Sequence, residues 1–416
     1  MITPDGSVVT YAYDSLYRLT NEVRIGTQPY NYAYSYDAVG NRLTKEGVGL
    51  KEFHTYNKNN QLTTRTVEYL AKELLPPGLK ELPPGFSKGE KEGWEGKGYP
   101  PGWEKGKKKG WPEGVVPETY IISYSYDGNG DLIKEIKESE ANNLKFTTTY
   151  DYDYENRLTS VSSSPLAGEG GGEGLVSYSY DGDGNRISKT DSSGTIKYIN
   201  DIVLPLVQVL QETDAAGNLL ASYTYGNDLI SQTRSGVTCY YLYDGLGSTR
   251  ALTDSSGAIT DSYIYEGFGN CIYSSGATTN PYLFTGEQQN LTTGLVYLRA
   301  RYYDPSIGRF ISRDPILRPI LRGNSIEWLL RVLIDRPQQL HPYVYCQNNP
   351  INLVDPIGLL TTEECWKICD EIYSEEKRLC SLKVLLLMIT IYEWPKCMEE
   401  ARHSHELCYE RCLKCK

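Results

Sequence analysis

The sequence predicts a mainly β protein: a curled antiparallel shell of β-hairpin repeats that ends in a small C-terminal α-helical hairpin. Three observations carry this. Tyrosine outnumbers phenylalanine 36 to 6. A Tyr-x-Tyr-Asp-x-x-Gly-Asn-Arg-Leu pattern recurs along most of the chain. Beyond residue 360 the repeats give way to a segment holding seven of the ten cysteines.

The repeats come first. YAYDSLYRL (11–19), YSYDAVGNRL (34–43) and a decayed copy, HTYNKNNQL (54–62), open the series. YSYDGNGDL (124–132), YDYDYENRL (150–158) and YSYDGDGNRI (178–187) continue it. YLYDGLGSTR (241–250) and YIYEGFGN (263–270) are later variants. Side chains alternate along a strand, so Tyr-x-Tyr puts two rings on one face. A large ring with a polar tip suits a half-buried sheet. Asp-x-x-Gly supplies a turn: the Asp side chain accepts nearby amides, and Gly tolerates positive φ. Arg-Leu or Arg-Ile starts the returning strand. One hairpin has too little core, so neighbours must stack side by side. A continuous curled sheet is expected over residues 119–310, with repeats also over 1–69.

Two stretches break the period. Residues 70–118 are dominated by a Pro-, Gly- and Lys-rich run with isolated Trp, and read as a low-complexity insertion without regular structure. A Trp-bearing basic loop could alternatively touch a membrane or an anionic glycan. Residues 163–174 read as a second insert.

Bulk properties exclude some functions. The net charge of -11 gives the repeats no electrostatic basis for nucleic-acid binding. The start, MITPDGSVVTYAYD, lacks the pattern of a secretory signal peptide. The longest apolar run, Val384 to Tyr392, is too short to span a bilayer. Secretion or surface display would then use a route without a cleaved signal peptide, from a cytoplasmic precursor. No phosphate-binding loop or dinucleotide fingerprint appears, so no cofactor and no metal are expected.

After the repeats, YLRARYYDPSIGRFISRDPI (297–316) packs four arginines and two Asp-Pro pairs into twenty residues. YVYCQNNPINLVDPIGL (343–359) holds a third Asp-Pro. Asp-Pro is a common turn opener, because Pro fixes φ at the following position. Asp304-Pro305 reads as such a turn. Arg299, Arg301 and Arg309 could pair with acidic groups or stack on tyrosine rings.

The repeats resemble the YD repeats of the RHS family, and residues 297–359 resemble its repeat-associated core signature. The resemblance covers residues 1 to about 359 apart from the inserts. It implies a hollow β-shell, or cocoon, over 1–69 and 119–280, closed at one end by a core domain over 281–359. It implies a variable, toxin-like C-terminal tip over 360–416, held inside the shell. The implied partners are that tip, an immunity protein and secretion machinery. Asp314 matches the family's first catalytic aspartate, Asp355 its second, and Arg301 an arginine implicated beside them. The implied reaction is self-cleavage between Leu359 and Leu360. Two close carboxylates do not both ionise easily, so one stays protonated while the other acts as base toward water. One departure stands out. Residues 317–342 replace the family's short Gly-rich link, and SIEWLLRVLIDR within them has helical periodicity, with Ser325 as N-cap.

In the tip, Cys365, Cys369, Cys380, Cys397, Cys408 and Cys412 are mirror-symmetric, with spacings 4, 11, 17, 11 and 4. On helices each trio shares a face. Two antiparallel helices would pair Cys365–Cys412, Cys369–Cys408 and Cys380–Cys397. Other pairings, reduced cysteines and a zinc site stay open. His403 and His405 lie on different helix faces, a weak signal for nuclease chemistry. Three readings follow: a shell that packages a toxin-like tip for bacterial competition or host interaction, a surface protein binding carbohydrate or another cell, or a truncated remnant.

Overall fold

The computed structural model describes residues 5–69, 118–139, 144–165, 175–203, 206–315 and 341–359, besides 1, 3 and 402. The two helical expectations, at SIEWLLRVLIDR and in the tip, lie outside the described residues. So do the six mirror-spaced cysteines, His403, His405, Leu360 and nearly all of the 70–118 insertion.

Among the described residues the chain is almost entirely antiparallel β. Twenty strands, β1 (Val8–Tyr13) through β20 (Cys271–Ser275), form one meander in which each strand pairs with its neighbours in sequence. The sheet ends at Ser275, so it does not continue to residue 310 as the repeat pattern suggested. The chain then builds a separate four-stranded sheet from β21 (Gln288–Gln289), β22 (Val296–Leu298), β23 (Arg301–Asp304) and β24 (Arg309–Phe310).

The turns follow one plan. Asp37 donates its amide to the Asn41 carbonyl and accepts the Gly40 amide on its own. Its carboxylate accepts the amides of Val39 and Asn41 at 3.0 and 2.8 Å. The third residue after the acid is left-handed, with φ of 99° at Gly40, 88° at Gly130 and 87° at Gly184. Tyr17, Asn60 and Asn156 hold the same position at 59°, 60° and 64°. A bulge precedes each turn, as between Ser35 and Tyr36.

Turns of a meander alternate between two rims. The turns after Tyr-x-Tyr all fall on one rim, and side chains stitch them together. Arg18 donates to the Asp37 carbonyl at 2.7 Å, Asn41 to Asn60 at 3.0 Å, and Asn129 to Asn156 at 2.7 Å. The strand ends that flank both low-complexity inserts lie on the other rim. β6 (Leu62–Tyr69) and β7 (Glu118–Tyr126), which flank the first, pair directly, Tyr69 opposite Glu118. The second is shorter than the sequence suggested. β10 (Leu158–Pro165) continues to Pro165, with Ser163 opposite Thr148, because β9 (Leu144–Tyr152) offers a full ladder there.

In four of the pairs the second tyrosine has the same task. Where the ladder between hairpins stops, a carbonyl is left over. Tyr36 donates to the Leu19 carbonyl at 2.7 Å, Tyr56 to Arg42, Tyr180 to Leu158, and Tyr243 to Leu229. An unpaired buried acceptor costs about 1–3 kcal/mol, so a phenylalanine here would be expensive.

The sheet curls but does not close. No ladder joins β1 to β20; side chains span the seam instead. Glu22 accepts the Gly267 amide at 2.8 Å, and buried Lys45 pairs with buried Glu266. Residues 281–315 and 341–359 plug the Tyr-x-Tyr rim. Tyr343 donates to the Gly130 carbonyl, Arg309 and His341 reach Asn41, Asn348 donates to Gly40, and Tyr303 donates to Phe268. His341 and Pro342, assigned to an insert from sequence, are buried parts of this plug. Asp304 does make the expected turn, accepting the Ser306 and Gly308 amides.

Tyr243→Phe is expected to cost about 1–3 kcal/mol, because the Leu229 carbonyl loses its donor. Tyr240→Phe, on the exposed face, should change stability by no more than about 0.5 kcal/mol. Urea denaturation of both variants checks the difference.

Candidate functional site

The plug brings Arg301, Asp314 and Asp355 together although 54 residues separate the first from the last. Arg299, at φ 55°, turns the chain tightly between β22 and β23, where Leu298 faces Arg301. Arg301 is buried, and its guanidinium lies 3.5 Å from the Phe310 ring centroid. Its Nη2 sits 3.1 Å from Asp314 Oδ2 and 3.7 Å from Asp355 Oδ2. Both aspartates are buried, at 3% and 5% exposure, so one guanidinium serves two carboxylates away from bulk water.

The same turn grips the chain just before the expected cut. Arg299 donates to the Pro356 carbonyl, the Ala300 amide to Ile357 at 3.2 Å, and Arg301 Nε to Gly358. Three consecutive carbonyls are thus held by three consecutive residues. Glu287 fixes Arg299 from behind at 2.8 Å. Arg301 also donates to the Pro342 carbonyl, which accepts the Asp314 amide as well, so the returning chain positions both groups.

Asp355 folds over the last stretch. Its Oδ1 accepts the Leu359 amide at 3.0 Å. Gly358 between them has φ 70°, and a Cβ there would run into the Leu298 carbonyl. Burial pushes the Asp355 carboxyl up to about 7, while Arg301 and the Leu359 amide pull it down and Asp314 adds to the rise. Near neutral pH Asp355 therefore exchanges a proton readily beside a second carboxylate and a clamped peptide. That pairing suits general acid–base chemistry.

The sequence reading singled out the two aspartates and Arg301 by motif. It left Arg299 and Arg309 as wall residues, and both do pair or stack: Arg299 with Glu287, Arg309 over Tyr56 at 4.7 Å. It missed Arg299's hold on Pro356, the Ala300 amide, the Pro342 carbonyl and Phe310. Backbone groups leave no signal in side-chain motifs.

Comparison with known proteins agrees with this architecture. Residues 176–351 match the family model of the teneurin YD-shell. Over that stretch the chain is similar to the RHS-type YD-shell proteins. It is 35% identical over 241 residues to the tRNA3(Ser)-specific nuclease WapA of Bacillus spizizenii, a match covering 57% of the chain and 9% of that protein. It is 26% identical over 270 residues to the double-stranded DNA deaminase toxin A of Burkholderia cenocepacia, covering 57% of the chain and 17% of that protein. The chain therefore spans a small part of these relatives. Among solved structures, the TcdB2-TccC3 crystal structure aligns with 85% of the chain and 19% of its own, at 19% identity and a TM-score of 0.38. Among the described residues of the chain, no helix is long and apolar enough to cross a membrane.

Two predictions follow from the site. A carboxyl raised from 3.8 to about 7 binds its proton more tightly in the folded state. Its stabilising contribution is full below the ordinary value and is lost as pH rises through about 7. Asp355→Asn should therefore flatten the loss of stability between acidic and mildly alkaline pH, as urea midpoints across that range will show. Gly358→Ala should cost at least about 1–3 kcal/mol, from the left-handed backbone and the Leu298 contact. Gly128→Ala, where a Cβ meets nothing, should stay within about 0.5 kcal/mol in the same assay.

Proposed function

We propose that this chain is the shell-and-plug part of a toxin-like RHS protein, and that its plug cuts the chain after Leu359 to free the segment beginning at Leu360. The observation that carries the reading is the buried Asp314–Arg301–Asp355 cluster with the Leu359 amide bound to Asp355. The clamp on residues 356–358 supports it, because it fixes the peptide as a substrate would be fixed.

In the proposed reaction Asp314, paired with Arg301 at 3.1 Å, takes a proton from water. The hydroxide so formed adds to the Leu359 carbonyl carbon. Protonated Asp355 donates to the carbonyl oxygen, and the tetrahedral species collapses with breakage of the Leu359–Leu360 bond. Asp314 passes its proton to the departing Leu360 nitrogen and a hydroxyl of the tetrahedral carbon returns one to Asp355, leaving a Leu359 carboxylic acid and a free amine. Arg301 holds both carboxylates, and burial keeps the proton on Asp355 near neutral pH. The shell and its rim turns have no part in the chemistry; they hold the plug and surround the segment to be released. The organisation in this reading is repeats over 1–69 and 119–280, core domain over 281–359 and tip over 360–416. Its partners are the tip, an immunity protein that would neutralise it, and an export route outside the cell.

The test is purified full chain on a denaturing gel, with N-terminal sequencing of the small fragment. The expected fragment begins at Leu360. Asp314→Asn and Asp355→Asn should each slow its appearance by at least about 100-fold, since each loses one proton-transfer step. Arg301→Lys should slow it less, because a lysine keeps the charge but loses the planar fork. A folded parent that stays whole would leave the aspartates as structural turn residues.

A further inference from the structure

His341 is buried where the chain comes back to the plug. Its Nδ1 accepts two amides, those of Tyr343 and Val344, each at 3.2 Å. A ring nitrogen that accepts carries no proton, so the proton sits on Nε2, which donates to Asn41 Oδ1 at 2.8 Å. The Asn41 amide nitrogen donates to Asp37 and Asn60, and its Oδ1 also accepts Arg309 Nη1 at 3.1 Å. The shell therefore turns an acceptor toward the plug, and that acceptor selects the tautomer of His341. Burial and the nearby Arg309 charge hold the imidazole well below its ordinary range, so it stays neutral.

The Tyr343 amide and the Pro342 carbonyl belong to one peptide unit. A trans peptide is planar, and its N–H and C=O point in opposite directions. His341 grips the N–H side, so the carbonyl is aimed away from the ring. There it accepts Arg301 Nη1 at 3.1 Å and the Asp314 amide at 3.0 Å. Arg301 Nη2 is left to reach both carboxylates, at 3.1 Å for Asp314 and 3.7 Å for Asp355. The planar guanidinium is thus anchored at Nε by the Gly358 carbonyl and at Nη1 by the Pro342 carbonyl, which sets the direction of Nη2. Rotation of the single Pro342–Tyr343 peptide would release Arg301 Nη1 and the Asp314 amide together. Pro342 lacks an N–H, so the donors that orient this segment are those that follow it, and His341 holds them.

We propose that His341 is a positioning residue for cleavage after Leu359: its imidazole locks the Pro342–Tyr343 peptide, whose carbonyl holds Arg301 and Asp314 in place. The inference rests on the cleavage reading and deepens it, since His341 acts through the backbone and not on the reacting atoms. It also ties the chemistry to the shell. The tautomer that can accept the two amides is the one that Asn41, at the end of the Asp37 turn, selects.

Two replacements divide the imidazole. Asparagine carries an acceptor oxygen on Cγ, where histidine carries Nδ1, so His341→Asn keeps the hold on the two amides and gives up Asn41. Glutamine carries its polar atoms one bond farther out, near Nε2, so His341→Gln keeps a donor to Asn41 and gives up the amides. Release of the Leu360 fragment is timed on denaturing gels after synthesis of the full chain in vitro. His341→Asn should cut within about threefold of the parent rate, and folded His341→Gln at least about tenfold more slowly, as expected when a reacting group is misplaced by about 1 Å or less. A role in folding alone would leave both folded variants at the parent rate. The tautomer is read separately, by heteronuclear NMR of the imidazole nitrogens in the Asp314→Asn chain, with the His341 signal assigned by its loss on adding His341→Asn. That signal should show the proton on Nε2, and this measurement needs neither cleavage nor a folded His341→Gln chain. A proton on Nδ1, a folded His341→Gln chain cutting at the parent rate, or a folded His341→Asn chain as slow as His341→Gln overturns this inference and leaves the cleavage reading standing. A folded parent that stays whole overturns the cleavage reading and this inference with it.

Discussion

A backbone carbonyl that no strand can reach is the constraint on which this shell depends. Eight hairpins of this rim end in a bulge and a tight acid turn, so the ladder to the next hairpin stops short of the rim. The tyrosine hydroxyls of residues 36, 56, 180 and 243 cap the carbonyls left behind. Their rings fill the concave face, so one side chain supplies core and hydrogen bond together. That explains the preference for tyrosine over phenylalanine better than a general taste for aromatic strands. It also sets the rim at which the plug docks, because the capped carbonyls and acid turns form a level edge.

The plug in turn gives the rim its tertiary role. Arg42 and Arg186 occupy the position after the turn where Leu19, Leu62, Leu132 and Leu158 stand in other hairpins. Each lays its guanidinium on rings, Arg42 on Tyr34 and Phe268, Arg186 on Tyr178 and Tyr297. Burial of a charge without a carboxylate partner is costly. Ring faces offset part of that cost for both, and Tyr302 and Gln288 of the plug do so for Arg186. The arrangement ties core and repeats together, since removing the plug would leave these arginines against solvent-exposed rings.

Much of the fold was legible in local patterns. Tyr-x-Tyr-Asp located strand, turn and inward face because all three are decided within ten residues. The turns at Asp214 and Asp254 have the same hydrogen bonds but no preceding Tyr-x-Tyr, and lie on the unplugged rim, so a tyrosine-based pattern passes over them. Aligning Arg18 with Arg42 by their Arg-Leu step was misleading. Counted from the acid, Arg18 is the fourth residue and reaches along the rim, whereas Arg42 is the fifth and points inward. Burial follows strand register, not residue type.

The sequence by itself determined the repeat unit, its antiparallel hairpins and the identity of the residues with acid–base potential. These depend on side-chain alternation, turn chemistry and motif, which are properties of neighbours in the chain. Only the tertiary structure decided that the sheet stays open at a seam bridged by Glu22, Lys45 and Glu266, and that the plug lies on one rim. It alone decided that Arg301 stands between two aspartates and that residues 299–301 hold residues 356–358. Those contacts join segments tens to hundreds of residues apart through backbone carbonyls and buried charge, and no local pattern encodes which carbonyl will meet which arginine once the sheet has curled.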